Sequence, residues 1–387
     1  MRTTGIGPTL ADVRMAADRI TGLVDRTPVL ALDSRVLLKA EHRQRGGSFK
    51  VRGAANAMLA RYADEVVAGS SGNHGIAVAM LGAALGIRVT IVMAAGASDG
   101  KAQAIRSLGA GVVQVAGGVV ERDRRAEDIA AATGAVFVPS SDHELVVAGA
   151  GTVGLEVFEQ VPNVSTIFVP AGGGGLLAGV CLAASALSRS VRVVGVEPMS
   201  ARRYAVSVAR GAPTELPPSM TIADGLRGQR PGAVPWPIIR HRVDDLIGVT
   251  DEAITHALGI LRRAGVSAEP SGAVALAGAL RRGSAGPAVA IVSGGNGTAG
   301  IGSTKSTEET PAELLPASTG ESASSSLHCR GGAEQSRGRR IAERMQFEER
   351  LYDRTNIPRV RSAGDHRSDT DRRVGETRPT KSVQDVR

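Results

Sequence analysis

The chain has 387 residues and a net charge of +8; 42% of the residues are hydrophobic and only 2% are aromatic, so the core must be built from aliphatic side chains. This length suits one large domain or two ordinary ones, and the positive charge favours anionic partners without distinguishing a phosphate-bearing cofactor from nucleic acid. Because Cys181 and Cys329 form no disulfide framework and the amino-terminal segment lacks the apolar run of a signal peptide, we expect a cytoplasmic protein.

Short β-branched runs alternate with alanine-rich segments up to about residue 305, which predicts an α/β fold. Strands are predicted at Val36–Lys39, Glu65–Ala68, Arg88–Val92, Gly111–Val115, Ala135–Val138, Thr166–Val169, Val191–Val196 and Val289–Val292. Helices are predicted at Thr9–Ile20, Gly75–Leu85, Gly100–Leu108, Glu121–Thr133, Leu176–Leu187, Asp251–Ala264 and Gly272–Arg282. Such alternation favours parallel sheets covered on both faces, with ligands bound at the carboxyl ends of the strands. The most apolar stretch, 164–187, contains Pro170 and four consecutive glycines, which favours a buried strand, loop and helix over a membrane span.

The first segment with chemical potential is SFKVRGA, residues 48–54, which contains one of the few lysines of an arginine-rich chain. Lysine can lose its proton and form a Schiff base, whereas arginine effectively cannot, so Lys50 is a candidate nucleophile. The alternative interpretation is an ordinary solvated surface cation.

Three polar or glycine-rich clusters follow predicted strands. Residues 69–75 read GSSGNHG and offer hydroxyl, amide and imidazole groups, or an ordinary helix cap. Residues 171–176 read AGGGGL before an apolar helix, which is typical of a phosphate site at a helix N-terminus, or of a tight turn. This cluster is neither a P-loop nor a G-x-G-x-x-G fingerprint. Residues 293–296 read SGGN, which indicates a pocket at a strand end or a plain turn.

These motifs, together with VEP at 196–198, TIADG at 221–225 and AEPSGA at 268–273, come in the order and approximate spacing of one family. The chain resembles the pyridoxal-phosphate enzymes of fold type II, most closely the serine/threonine dehydratases and serine racemase, over about residues 8 to 302. The resemblance implies two open twisted α/β domains of the tryptophan synthase β-like architecture. The large domain would comprise residues 1–54 and 141–305, and the small domain residues 55–140.

The resemblance also implies a set of residues that bind pyridoxal 5'-phosphate. Lys50 would hold the cofactor as a Schiff base, and Phe49 would pack against its ring. Asn73 would bind the 3-hydroxyl, Ser293 would face the pyridine nitrogen and Glu269 would help to position the ring. The main-chain N–H groups expected to hold the phosphate belong to Gly172, Gly173, Gly174, Gly175 and Leu176.

The substrate carboxylate would lie, by the same resemblance, at the cluster of residues 69–75. The side chains expected to line it are Ser70, Ser71, Asn73 and His74. Arg122 stands where serine racemase has a carboxylate-binding arginine. Arg124 and Arg125 are rivals for this position, and an ordinary helix-surface arginine is the alternative interpretation.

The implied reaction is an ammonia-lyase dehydration that converts L-threonine or L-serine to 2-oxobutyrate or pyruvate and ammonia. The substrate amine displaces Lys50, whose freed amine takes the Cα proton as a general base before the β-hydroxyl leaves. A serine hydroxyl against the pyridine nitrogen makes the ring a weaker electron sink than a carboxylate would, which favours prompt elimination.

Three alternatives stay open. Ser71, as a second base on the face opposite the lysine, would permit serine racemase activity. Another 3-hydroxy amino acid as the substrate is the second alternative, and a non-catalytic homologue that binds amino acids is the third. The expected partners are a small amino-acid substrate and a second copy of the chain in a homodimer, with no nucleic acid and no membrane.

The chain also departs from the family pattern. Metal-activated members carry an acidic residue shortly after the VEP glutamate, but here Glu197 is followed by Arg203. We therefore predict that a Glu197–Arg203 ion pair takes the place of the cation and that no metal is bound. Residues 306–387 are polar, mixed in charge and poor in apolar side chains, which predicts a disordered tail without a recognisable regulatory domain.

Overall fold

The computed structural model describes residues 7–61, 63–96, 99–187 and 191–297. The predicted disordered tail, 306–387, lies outside these ranges, as does Cys329. The described strands are β1 Val29–Ala31, β2 Val36–Lys39, β3 Glu65–Gly69, β4 Arg88–Met93, β5 Gly111–Gln114, β6 Val136–Phe137, β7 Thr166–Pro170, β8 Arg192–Pro198, β9 Asp245–Val249 and β10 Ala288–Ile291. The described helices are α1 Leu10–Arg19, α2 Lys50–Ala60, α3 Asn73–Leu85, α4 Asp99–Ser107, α5 Val119–Thr133, α6 Glu144–Gln160, α7 Gly175–Leu187, α8 Arg203–Arg210, α9 Pro235–Arg242, α10 Asp251–Arg263 and α11 Pro270–Arg282.

The strands form two sheets that are almost entirely parallel, which confirms the predicted α/β class. One sheet has the order β1-β2-β10-β7-β8-β9, and only its edge strand β1 runs antiparallel to its neighbour. The other has the order β5-β4-β3-β6 and is parallel throughout. The second sheet lies within residues 65–137, between the segments that build the first. The division into domains at residues 55 and 140 stays a prediction.

All the predicted strands and helices are present, with ends shifted by a few residues. The sequence analysis missed the strands β1 and β9 and the helices α2, α6, α8 and α9. Helix α6 escaped prediction because glycines and β-branched residues, which lower helix propensity, occupy much of its length.

The glycines of α6 have a packing role. A Cβ at Gly149 would lie 2.5 Å from the Arg52 carbonyl of α2, and a Cβ at Gly151 would lie 3.0 Å from the Gly179 carbonyl of α7. The first separation is too short for a side chain and the second is tighter than most Cβ contacts, so glycine lets these backbones pack closely. Helix α6 thereby holds α2, which begins at Lys50, next to α7, which follows the glycine loop.

Candidate active site

Lys50 is the first residue of α2, and its amine contacts the segment that follows β6. The preceding Phe49 N–H donates to the Ser293 carbonyl at 3.1 Å, and Ser48 pairs with Gly294 in an isolated antiparallel bridge. The Lys50 amine donates to the Ser140 carbonyl at 2.6 Å and lies 5.1 Å from the centre of the Phe49 ring. Burial, with a smaller effect of the Arg122 charge, lowers the pKa of Lys50 to about 8. A sizeable fraction of the amine is therefore neutral near physiological pH, as a nucleophile requires.

A buried ionic network holds α2 in place behind the lysine. Arg52 has a fully buried side chain and pairs with Glu41 at 2.8 Å and with Glu156 of α6 at 2.6 Å. The equally buried Lys39 pairs with the same Glu156 at 2.5 Å, and Thr27 donates to Glu41. Each buried charge thus has an opposite charge and additional hydrogen bonds, which a low-dielectric interior requires.

The glycine loop, Gly172–Gly175, connects β7 to α7 and leaves no room for side chains. A Cβ at Gly173 would lie 2.0 Å from the Ser141 hydroxyl, and one at Gly174 would lie 2.0 Å from the Tyr204 hydroxyl. Gly174 also has a φ of +94°, a conformation that only glycine adopts without strain. The loop leads into the N-terminus of α7, where main-chain N–H groups and the helix dipole favour an anion.

Asn73, Glu269 and Asn296 form a hydrogen-bonded chain between the two sheets. The Asn73 amide donates to Glu269 Oε1 at 2.6 Å, and the Asn296 amide donates to Asn73 Oδ1 at 3.1 Å. Burial raises the pKa of Glu269 to about 7, with the neighbouring Asp224 adding to the shift and the Asn73 hydrogen bond opposing it. Glu269 can therefore hold or release a proton near neutral pH.

The N-terminus of α3 carries the side chains expected at the substrate carboxylate. Its N-cap residue is Gly72, which offers no side chain to the first N–H groups of the helix, so these stay available to an anion. Ser70 accepts a bond from the Gly72 N–H, and Ser71 accepts one from the Ala94 N–H at 3.2 Å. The Ser71 hydroxyl therefore receives a hydrogen bond from the end of β4.

His74 contributes no positive charge to this region. Its Nε2 hydrogen-bonds to the Val138 carbonyl at 2.8 Å, which assigns the proton to Nε2 and leaves Nδ1 as an acceptor. Burial and the nearby Lys50 lower its pKa to about 3, so the ring is neutral. An acceptor cannot bind a carboxylate, so His74 could contact the substrate carboxylate only through its main-chain N–H.

Arg122 lies nearer the site than its two rivals on α5. Its side chain is largely buried beside Gly69 at the end of β3, where it pairs with Asp123 at 2.7 Å, whereas Arg124 and Arg125 are exposed. Its charge also contributes to the lowered pKa of Lys50. The structure thus places Arg122 within electrostatic reach of the lysine amine.

Ser293 follows β10 and is 5% exposed. Its main-chain carbonyl accepts from Phe49, and its hydroxyl lies 3.4 Å from the Ser271 carbonyl. Ser293 therefore contacts Phe49, the residue before Lys50. Its expected contact with a pyridine nitrogen stays a prediction.

The structure gives contacts at the site for residues whose roles the sequence analysis did not specify. Ser140 acts through its carbonyl, which every residue type carries, so its contact with Lys50 has no sequence signal. Asn296 ends the SGGN cluster, and its position after a buried strand was the available signal. The glycine loop is contacted by Ser141, Arg203 and Tyr204. The four consecutive glycines indicated a tight turn but not which residues pack against it.

Glu197 and Arg203 interact electrostatically, as the prediction of an ion pair requires, but each makes its hydrogen bonds to main-chain groups and not to the other. Arg203 is fully buried and donates to the carbonyls of Ala171 and Gly172, whereas Glu197 accepts from the N–H groups of Tyr204 and Ala205. Main-chain groups at the start of α8 meet the carboxylate because α8 turns its N-terminus towards the end of β8. The described residues contain no cluster of three or more metal-ligating side chains, and the absence of a bound metal stays a prediction.

Membrane insertion has no candidate element among the helices in the described ranges, since none combines the required length and apolar character.

Comparison with known proteins connects this geometry to characterised enzymes. A family model described as "Pyridoxal-phosphate dependent enzyme" matches residues 20–294. The chain is 37% identical over 288 residues to L-threo-3-hydroxyaspartate ammonia-lyase of Saccharomyces cerevisiae, covering 71% of this chain and 88% of that protein. It is 38% identical over 304 residues to L-threonine ammonia-lyase of Thermotoga maritima, covering 74% and 75%. The structure of maize serine racemase superposes with a TM-score of 0.72 at 37% identity, covering 75% of this chain and 94% of that one. These likenesses confirm the predicted fold type.

The residues present fit pyridoxal phosphate. The glycine loop forms a cradle that any Cβ would fill, and it stands at a helix N-terminus suited to a phosphate. Lys50 supplies an amine of lowered pKa. Among the described residues, the buried atoms without a hydrogen-bond partner include Ser48 Oγ, two residues before Lys50, and His74 Nδ1 on α3, both of which are free to contact a ligand.

Proposed function

The chain belongs to the family of pyridoxal-phosphate-dependent enzymes, and on that premise we propose that it is a dehydratase (ammonia-lyase) of L-threonine and L-serine. The products would be 2-oxobutyrate or pyruvate, and ammonia. The observation that carries the proposal is the Lys50 amine, which is held by the Ser140 carbonyl and has a pKa of about 8. A general base works best when its pKa lies near the working pH.

The cofactor would be held by residues of both sheets. Lys50 would bind it covalently beside Phe49, and Asn73 would bind its 3-hydroxyl. Glu269 and Ser293 would position the ring. The phosphate would be held by the N–H groups of Gly172, Gly173, Gly174, Gly175 and Leu176. Pyridoxal phosphate, when bound, supplies an electron sink that makes the Cα proton of an attached amino acid acidic.

The protein's own part in the reaction is binding and proton transfer. The N–H groups at the start of α3, with Ser70 and Ser71, would bind the substrate carboxylate and so fix the orientation of Cα. Lys50, neutral above its lowered pKa, would take the Cα proton, after which the β-hydroxyl leaves with the bonding electrons. The enamine released from the site then hydrolyses to the 2-oxo acid and ammonia.

A racemase activity is the second candidate, because of one hydrogen bond. The Ala94 N–H donates to the Ser71 oxygen, and a donor at this oxygen stabilises the negative charge it would carry as a base. Such a base would return a proton to Cα from the side opposite Lys50. D-Serine would then form besides pyruvate.

An acidic substrate is the third candidate, because of Arg122. Its largely buried guanidinium lies within electrostatic reach of Lys50 and would exchange its partner Asp123 for a carboxylate in the substrate side chain. The Saccharomyces cerevisiae relative is an ammonia-lyase of L-threo-3-hydroxyaspartate. Arg122→Gln should then reduce turnover of that substrate more than turnover of L-threonine.

The test is to incubate the cofactor-loaded protein separately with L-threonine, L-serine and L-threo-3-hydroxyaspartate and to separate the products by chiral chromatography. We expect 2-oxobutyrate and pyruvate in amounts equal to the ammonia released, with Lys50→Ala as the inactive control. D-Serine in excess would favour the racemase, and oxaloacetate as the dominant product would favour the acidic substrate. No product from any substrate, with the cofactor bound, would leave a non-catalytic amino-acid-binding protein.

We propose also that the protein is a cytoplasmic homodimer with two domains divided at residues 55 and 140, and that it binds neither nucleic acid nor membranes. The support is the resemblance to dehydratases and serine racemase. Sedimentation equilibrium of the loaded protein checks the stoichiometry, and a monomer at all concentrations would contradict it.

A further inference from the structure

Two adjacent buried side chains, Arg203 and Tyr204, donate hydrogen bonds to the start of the glycine loop from one side. Arg203 Nη1 donates to the carbonyls of Ala171 at 3.1 Å and Gly172 at 2.6 Å, and Nη2 donates to the Leu226 carbonyl. Tyr204 Oη donates to the Gly173 carbonyl at 2.9 Å and accepts from the Gly232 N–H at 3.2 Å. Both side chains are fully buried. Three consecutive carbonyls, those of residues 171–173 at the start of the loop, are therefore bound by residues 203 and 204.

The start of α8 is itself fixed in place. Glu197, at the end of β8, accepts from the N–H groups of Tyr204 at 2.9 Å and Ala205 at 3.0 Å, and it is fully buried. Its carboxylate thus serves as the N-terminal cap that the side chain of Arg202 does not provide. Hydrogen bonds thus connect the end of β8 to the start of α8, and the start of α8 to the carbonyls of residues 171–173.

Because of the geometry of the peptide unit, fixing the loop carbonyls also fixes the direction of the N–H groups on the opposite side of the loop. In a trans peptide the carbonyl and the following N–H point in opposite directions, and the described chain has no cis peptide bond. Holding the carbonyls of residues 171, 172 and 173 towards α8 therefore turns the N–H groups of Gly172, Gly173 and Gly174 away from it. Gly173 is the partly exposed member of the loop, whereas its neighbours are buried.

We infer that Arg203 and Tyr204 are positioning residues that preset the N–H groups of the glycine loop for a phosphate. The Arg203 guanidinium adds a buried positive charge behind the loop, which the neighbouring Glu197 carboxylate partly offsets and which solvent screens only weakly. Hydrogen bonds to the carbonyls also polarise the peptide units and strengthen their N–H groups as donors. The inference rests on the proposed binding of the cofactor phosphate by this loop and is independent of the substrate.

The test compares the affinities of the cofactor-free protein for pyridoxal phosphate and for pyridoxal, which lacks the phosphate. Binding is followed by quenching of the fluorescence of Trp236, the only tryptophan. Its neighbour Pro235 lies beside Gly174 of the loop. The variants are Arg203→Met, Arg203→Lys and Tyr204→Phe. Arg210→Met, at the exposed end of the same helix, is the matched control.

We expect Tyr204→Phe to lower the affinity for pyridoxal phosphate about tenfold, because one hydrogen bond is lost. Arg203→Met should lower it about tenfold to a hundredfold, because hydrogen bonds and a positive charge are lost. Pyridoxal affinity should change by less than about twofold, and Arg203→Lys should fall between Arg203→Met and the parent. If a variant left the ratio of the affinities for pyridoxal phosphate and pyridoxal unchanged, the inference would be overturned. Tyr204→Phe removes one hydroxyl only, so it decides the question if Arg203→Met does not fold. Because turnover is not measured, an error in the proposed reaction leaves the result interpretable.

Discussion

The amine of Lys50 is set apart from an ordinary lysine by its pKa of about 8, which burial and the Arg122 charge produce. Only the neutral amine attacks the cofactor aldehyde, so the rate at which the cofactor-free protein binds pyridoxal phosphate should rise as the pH increases through 8. Stopped-flow absorbance between pH 6.5 and 9.5 measures this rate. Arg122→Gln should move the inflection upward, because it removes a positive charge, whereas Arg124→Gln should leave it unchanged. A parent rate that still rises tenfold per pH unit at pH 9.5, without an inflection, would contradict the lowered pKa.

The carboxyl of Glu269 gives a second pH-dependent prediction. Its pKa of about 7 exceeds the usual value because of burial, so its contribution to stability is full below about pH 4.5 and is lost as the pH rises through 7. Glu269→Gln stays neutral throughout and should gain stability relative to the parent by roughly 2 kcal/mol more at pH 8 than at pH 5. Urea unfolding of the cofactor-free proteins at both pH values measures the difference. The exposed Glu127→Gln is the control, and a pH-independent effect of Glu269→Gln would refute the raised pKa.

At the level of single residues, the sequence singles out positions where the proposed chemistry needs a particular side chain. Lys50 and Asn73 stand in motifs, and the structure places both at one end of the sheets, with Glu269 hydrogen-bonded to Asn73. Contacts made through the main chain were invisible, because every residue has a carbonyl. The Ser140 bond to Lys50 and the Arg203 bonds to the loop belong to this kind.

At the scale of secondary structure, helix α2 depends on the charges behind it. Glu41 is fully buried and accepts two hydrogen bonds of 2.8 Å from Arg52. Glu41→Gln breaks a buried ion pair and leaves excess positive charge in the interior, so unfolding free energy should fall by about 3–5 kcal/mol. Glu65→Gln, which removes the partner of the exposed Arg88, should cost less than about 1 kcal/mol. Equal effects of the two changes in urea unfolding would show that the network does not anchor α2.

Strands and helices with a regular apolar sequence pattern were predicted well, whereas those whose sequence is shaped by close packing were missed. The parallel strands read as short apolar runs and are buried on both faces, as in β7 and β9, yet β9 was missed because Asp245 and Gly248 interrupt its apolar pattern. Helix α6 was missed because its glycines weaken the helical signal. Their close approach to α2 and α7 becomes visible only when the three helices are assembled.

At the scale of the whole molecule, every strand and every candidate site residue described lies between residues 29 and 296. A chain truncated after Lys305 should therefore keep its cofactor content and its turnover. A chain truncated after Gly286 is the contrasting variant, because it loses β10, which lies between β2 and β7. Absorbance of the bound cofactor and 2-oxo acid formation measure the outcome. Inactivity of the longer chain would show that residues beyond 305 belong to the functional fold.

The most direct measurement is to reduce the cofactor-loaded protein with borohydride and to locate the cofactor by mass spectrometry of its peptides. The chain has five lysines, at positions 39, 50, 101, 305 and 381, and the prediction is that Lys50 alone carries the added mass. Lys50→Ala should then carry none. Modification of Lys101 or of a lysine beyond residue 297 in place of Lys50 would contradict the proposed catalytic role of Lys50.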